Sequence, residues 1–315
     1  MEYYVTVLTQ MTIAALLGLS VFVPMLTGQV SFGQQGFYAI GGYAAGVVTV
    51  MWGLDLVPAL VFGMLLSAIA GVLVGIPVLR VRGLYLGVAT LAFGEIVRNL
   101  ALNLTYTKVT DDGGSVGPLG LQGFRDIRYF LDRGMRPTAV LGVLLFALVV
   151  VALGLRRLDR SRLGRVFRAI GEDEHAAAMA GINVVGTKVL AFAIGGAVAG
   201  LAGGLYAHST TFVAPEAFGL GVGIYAVAYV LVGGTRSVAG PVLGAAFFVI
   251  LGEAFRPLGS FRQFATPTLI LVAMIVRPFG ILSAKSTKLP AWWSRRRPDR
   301  PGEVELEEVL DRAPS

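Results

Sequence analysis

The 315-residue chain has no cysteine and only two histidines. The first absence removes disulfides, thiolate metal sites and thiol nucleophiles. The two histidines, His175 and His208, are expected on opposite sides of a membrane, and a metal site needs convergent ligands. No His-x-x-x-His, no Ser/His/Asp set and no paired catalytic acids fall within the apolar blocks, so no metal, no cofactor and no catalytic centre is expected. Charge is scarce as well: 14% of residues are Asp, Glu, Lys or Arg, against about 25% in average soluble domains. Alternating segments of about ten residues, the mark of a transmembrane barrel, do not occur. Gly181-Ile182-Asn183-Val184-Val185-Gly186-Thr187-Lys188 resembles a phosphate-binding loop but has Thr before Lys, and no strand precedes it. A phosphate cradle requires Lys directly after the second Gly, so no nucleotide site is expected.

What remains is apolar. The chain is 55% hydrophobic with mean hydropathy +0.74, and its apolar runs approach the roughly 20 residues that cross a bilayer as helix. The fold class expected is an all-α polytopic membrane protein. Candidate spans are 5–26, 34–53, 57–79, 83–104, 137–156, 187–207, 219–234, 239–256 and 265–283. The blocks 34–53 and 219–234 are short or Gly-rich and either cross or are re-entrant, which gives eight or nine spans. Met1-Glu2-Tyr3-Tyr4 lacks a basic leader, so the first block reads as a mature span.

Lys and Arg placement sets the orientation. Arg156, Arg157, Arg160, Arg162, Arg165 and Arg168 put the segment after the fifth block inside, and Lys285, Lys288, Arg295, Arg296 and Arg297 put the C-terminus inside. Arg80 and Arg82 fall on the same side by alternation, and the loop 105–136 faces out, with the turn Asp112-Gly113-Gly114-Ser115. Tyr3, Tyr4, Trp52, Trp292 and Trp293 lie where an interfacial aromatic belt is expected. The net charge of +7 is thus a membrane signal and not a nucleic-acid footprint. Two regions are expected: a transmembrane domain over 1–283, and a basic then acidic cytoplasmic tail over 284–315, largely disordered and lying on anionic lipid at its basic end.

Glycines at four-residue spacing, among them Gly42/Gly46 and Gly200/Gly204, make flat helix faces for close packing. Two Gly-Glu-x-x-Arg pieces, Glu95/Arg98 and Glu253/Arg256, place opposite charges on one helix face, where they neutralise each other. The least membrane-like piece runs from Ser161 to Ala178, an Arg-rich, then acidic, then Ala-rich helix-prone island. It reads as a docking surface for a cytoplasmic partner.

Five segments in this order resemble the permease subunits of branched-chain amino acid ABC importers, of the LivM type. They are Gly28-Gln29-Val30-Ser31-Phe32-Gly33-Gln34-Gln35-Gly36-Phe37-Tyr38, Leu79-Arg80-Val81-Arg82-Gly83-Leu84-Tyr85 on to Glu95, the charged island through Asn183, Ala199-Gly200-Leu201-Ala202-Gly203-Gly204-Leu205-Tyr206, and Val232-Gly233-Gly234-Thr235-Arg236-Ser237. The chain departs from the family pattern at Arg236, where Gly is usual, at Gly171, often Arg, and at Asp112-Gly113-Gly114. The resemblance implies an importer-permease fold with a cytoplasmic coupling loop over about 157–186. It implies as partners a homologous second permease (LivH-like), two cytoplasmic ATPase subunits and a periplasmic substrate-binding protein, with the chain in the bacterial inner membrane. The coupling residues it implies are Arg165, Arg168, Ala169, Glu172, Asp173, Ala176, Ala177 and Gly181. Thr90, Phe93 and Glu95 are the residues expected near the translocation path.

The function expected is therefore a non-catalytic permease subunit of an ATP-driven importer for branched-chain or other small neutral amino acids. The same machine for urea or short amides is the near alternative. A stand-alone secondary transporter would want ion ligands at broken helices, and the acids inside the spans, Glu95 and Glu253, each have an Arg nearby.

Overall fold

The structure, a computed structural model, describes residues 2–78, 81, 83–109 and 115–256. Arg80, Arg82, the turn Asp112-Gly113-Gly114, the span 265–283, Trp292, Trp293 and the tail 284–315 lie outside the described residues. Among the described residues, eleven α-helices follow one another: α1 (Glu2–Leu26), α2 (Gln34–Val50), α3 (Leu56–Val78), α4 (Leu84–Asn103), α5 (Tyr129–Asp132), α6 (Pro137–Arg160), α7 (Arg162–Glu172), α8 (Glu174–Met179), α9 (Val184–Thr210), α10 (Leu220–Gly233) and α11 (Ala239–Ala254). Six helical segments among the described residues are long and apolar enough to cross a membrane. The chain is an all-α polytopic membrane protein, as its composition indicates.

α9 is the central post. Its 27 residues extend about 40 Å, and α1, α2 and α3 pack around it. Lipid offers helices no hydrophobic incentive to associate, so close van der Waals approach has to hold them. A methyl at Gly41 of α2 would overlap the Gly200 carbonyl, and one at Gly203 of α9 would overlap that of Tyr38. Gly42, Gly200 and Gly204 lie against neighbouring helices, whereas Gly46 faces Phe124 in the loop that follows α4. A methyl would come within 3.2 Å of Gly203 O at Gly42, 2.7 Å of Phe124 Cε1 at Gly46, and 2.7 Å of Leu60 Cδ2 at Gly204, and would overlap Ser67 Oγ at Gly200. Ser67 is fully buried and donates to Phe37 O at 3.0 Å, which links α3 to α2 by a hydrogen bond as well as by shape. By contrast α3 and α6 turn Leu65, Ile69, Leu73, Phe146, Val149 and Leu153 outward, as lipid-facing helices do.

The short block 219–234 is a broken element. A 3-10 turn at Pro215–Phe218 precedes Gly219, and α10 has 14 residues, about 21 Å against a hydrocarbon core of about 30 Å. The loop 105–136 holds more structure than its sequence suggests. Strands β1 (Lys108–Val109), β2 (Ser115–Pro118) and β3 (Phe124–Arg125) form an antiparallel sheet in that order. Strands of two to four residues are too short for an alternating pattern to show. Phe124 N donates to Val213 O at 2.8 Å, and Val213 N returns the bond to Phe124 O at 2.9 Å, which fastens this loop over the end of α9.

Candidate functional site

The charged island folds as two helices in place of one. α6 continues through Arg160, Ser161 turns the chain, and its Oγ accepts from Gly164 N at 3.3 Å to start α7. Asp173 ends α7 and caps α8, its Oδ1 accepting from His175 N at 2.8 Å and Ala176 N at 3.0 Å. Those two N–H groups, with His175 adding a smaller contribution, hold the Asp173 carboxyl below the ordinary aspartate range. Gly181 leaves α8 at a φ of +81°, a left-handed value that suits glycine.

One side of this pair of helices is bound into the body of the protein. Phe167 is fully buried, and Ile170 packs with Ala177 and Val184. Arg168 places Nε 2.9 Å and Nη2 2.7 Å from Asp159 Oδ1 at the end of α6, and the same Nη2 donates to Arg236 O at 3.1 Å in the α10–α11 turn. A methyl at Gly171 would overlap Leu26 O. An arginine there could not enter this contact without moving α1. Lys188 at the base of α9, 4% exposed, donates to Glu174 Oε2 at 2.8 Å.

The other side is bare. Arg165, Glu172, Asp173, Ala176 and Gly181 are exposed, and Met179 is 90% exposed. Of the residues expected to couple, Arg168 is therefore engaged within the chain, Ala177 is buried, Ala169 is half-buried, and the rest form an outward face. Asp159, Glu174 and Lys188 were not singled out by the sequence. Their partners lie across a chain reversal or on another helix, which spacing along one helix cannot reveal.

Of the residues expected near a path, Thr90 and Phe93 both lie against Gly33 at the start of α2, and Glu95 does not join them. Thr90 is buried, donates to Gly87 O at 2.8 Å and accepts from Phe32 N at 3.1 Å, so it pins the α1–α2 loop to α4. Phe93 packs against Phe37 with ring centroids 4.8 Å apart and planes tilted by 42°. Glu95 points the other way, into a 2.8 Å pair with Arg98. Asn99 and Asn103 continue the Glu95 face at four-residue steps and are exposed. Glu95 lies eleven residues beyond Leu84, about 16 Å along a helix of about 30 Å. An unpaired charge at that depth costs about 2.5–3.5 kcal/mol on insertion scales, so its pairing, and a non-lipid neighbour for this face, are expected. The second pair, Glu253 and Arg256, is wider at 3.5 Å, and Tyr3 OH donates to Glu253 at 2.7 Å.

A cavity of about 650 Å³ opens among α1, α2, α5, α6, α9 and α10, with Gln10, Tyr38, Tyr206, His208 and Tyr229 in its wall. His208 is held at both ring nitrogens, Nδ1 2.7 Å from Gly204 O and Nε2 3.1 Å from Thr49 Oγ1. Sequence spacing gives no sign of this cavity, whose wall combines side chains from six helices.

Comparison with known proteins gives a consistent picture. The family described as branched-chain amino acid transport system / permease component matches residues 3–277. The high-affinity branched-chain amino acid transport system permease protein LivM of Salmonella typhimurium is 36% identical over 294 residues, covering 88% of this chain and 69% of that protein. LivM of Escherichia coli is 37% identical over the same length and shares. More distantly, the D-allose transport system permease protein AlsC of Escherichia coli is 27% identical over 261 residues, 80% of this chain and 74% of that one. No solved structure matches.

Proposed function

The chain belongs to the family of branched-chain amino acid transport permease components, and from that premise we propose that it forms part of the membrane path of an ATP-driven importer for branched-chain or similar small neutral amino acids. Its partners in this reading are a second, homologous permease, two cytoplasmic ATPase subunits and a periplasmic binding protein. The chain sits in the inner membrane with its C-terminus inside and contributes no catalytic group of its own, ATP hydrolysis belonging to the ATPases.

The observation that carries the reading is the two-sided build of α7 and α8. Arg168, Gly171, Phe167 and Lys188 fix them to α1, α6, α9 and the α10–α11 turn, while Arg165, Glu172, Ala176 and Gly181 are left exposed. A unit so fixed moves as one piece with the spans when pushed from its exposed side. ATP-driven closure of an ATPase against that side would shift the balance between inward- and outward-open states by the difference in contact energy between them. Arg165, at i−3 from Arg168, is an exposed positive group on this surface and suits an acidic cleft on the ATPase.

Since the chain has no cysteine, Arg165→Cys supplies one thiol for mapping. Cross-linking to the ATPase by a short bifunctional reagent in membranes, changed by ATP, is the outcome this reading requires. A thiol there that never reaches an ATPase, in a complex that still transports, would refute the coupling role.

A further inference from the structure

Gln34 and Gln35 open α2, and both side chains are 0% exposed. Neither amide has a hydrogen-bond partner among the described residues, through nitrogen or through oxygen. Buried amides without partners are costly in any protein interior, and more so where no water can reach them. The sequence nevertheless makes room for one of them. A methyl at Gly94 of α4 would come within 2.6 Å of Gln35 Nε2, and one at Gly223 of α10 would overlap Gln35 Oε1. The Gln35 amide is thus held between glycines of two neighbouring helices with both of its ends unbonded. Leu or Met would fill such a slot without the penalty, so the amide calls for another explanation.

The surroundings have a definite chemistry. The first turn of α2, a helix of 17 residues, presents backbone N–H groups and a partial positive charge. Phe37 and Phe93 pack against each other alongside, and Phe93 Cε1 would be 2.8 Å from a methyl at Gly36. Phe32, whose N–H bonds Thr90, lays its ring against Gly87 of α4. Polar amides, a helix start and aromatic walls therefore meet where α2, α4 and α10 join.

We propose that Gln34 and Gln35 form a transit site for the head group of a small neutral amino acid, uncovered when α10 and α4 part from the start of α2. This rests on the importer reading above. A primary amide can accept from an ammonium through Oε1 and donate to a carboxylate through Nε2, so it suits both halves of a zwitterion. A carboxylate or a guanidinium would match one half only, and would bind it tightly enough to slow release. The helix start favours the carboxylate end, and the aromatic rings suit an aliphatic side chain. Amides left unbonded in the closed state make contact with the substrate weak and brief, as passage requires.

The test uses the assembled complex in proteoliposomes. Gln35→Cys adds the one thiol that this chain carries, and a complex without it controls for thiols on the partners. Its reaction with a water-soluble methanethiosulfonate is expected to be slow at rest and about tenfold or more faster during ATP turnover with leucine-loaded binding protein, since labelling follows the opened population. Equal rates in the two conditions would overturn the proposal. In parallel, Gln35→Leu is expected to keep or raise the thermal midpoint while leucine moved per ATP hydrolysed falls about tenfold or more. Unchanged leucine per ATP in that variant would also overturn it, leaving the importer reading intact. A parent complex that hydrolyses ATP and moves no leucine would instead remove the importer reading for this substrate, and this inference with it.

Discussion

Arg168 meets Asp159 through two nitrogens, Nε at 2.9 Å and Nη2 at 2.7 Å, and so ties α7 back to the final turn of α6. The same guanidinium reaches the Arg236 carbonyl at 3.1 Å. One side chain thus links α6, α7 and the α10–α11 turn. Arg168→Ala is expected to leave ATP hydrolysis largely intact and to lower substrate moved per ATP, because α7 would then shift without taking the spans along. The exchanged pair Asp159→Arg with Arg168→Asp should recover part of the transport. No recovery would mean that Arg168 acts on a partner and not on Asp159.

Gly171 touches the Leu26 carbonyl, with no room for a methyl. Gly171→Ala is expected to lower stability by about 1–3 kcal/mol, the usual cost of overpacking. Thermal unfolding of the detergent-solubilised protein measures it. A midpoint equal to the parent's would show that α1 and α7 are not pressed together there.

Asp173 gives a pH dependence with a definite sign. Two backbone N–H groups hold its carboxyl below the ordinary value of 3.8, so the folded form binds its proton less readily than the unfolded form. The stability it contributes is present in full above that ordinary value and fades as the pH falls through the lowered one. Hydrogen exchange over residues 173–180 should therefore quicken toward strong acid beyond the intrinsic trend. Asp173→Asn should remove that excess, and an identical acid profile in the variant would dismiss the cap as its source.

Glu95 and Arg98 form a 2.8 Å pair about halfway along α4. Glu95→Gln leaves Arg98 charged in an apolar span, a change worth about 2.5–3.5 kcal/mol if the arginine had to stay at that depth. Reduced membrane insertion or complex yield is expected for that variant, with recovery in the neutral double variant Glu95→Gln/Arg98→Gln. A double variant that inserts normally yet fails to transport would mark the pair as part of the path, whereas full transport would mark it as structural.

The helices were largely legible in the sequence because apolar block length and glycine punctuation are local properties. α1, α3, α4, α9 and α11 fall within a few residues of their blocks, and the Pro215–Gly219 break explains why 219–234 looked short. The crossing of α2 over α9 was half legible: Gly200 and Gly42 stood out by spacing, while Gly41 and Gly203, which make the closest approach, did not. Which glycine touches a partner depends on the crossing angle, a property of two helices together. That Thr90 and Glu95 face apart is legible in their spacing. Five residues at 100° each turn a helix by about 140° net, so the two side chains leave on different faces. The Arg168–Asp159 and Lys188–Glu174 pairs needed the fold itself, since each depends on how the turns at Ser161 and Gly181 fold the chain back.

The central claim is that this chain moves a small neutral amino acid when ATPases push on α7 and α8. The measurement that tests it most directly is uptake of labelled leucine into proteoliposomes holding this chain, its companion permease, the ATPases and the binding protein. ATP-dependent uptake that is lost on Arg165→Glu, in a complex that still assembles, is the predicted result. Leucine uptake of equal rate without ATP or without the ATPases would contradict it.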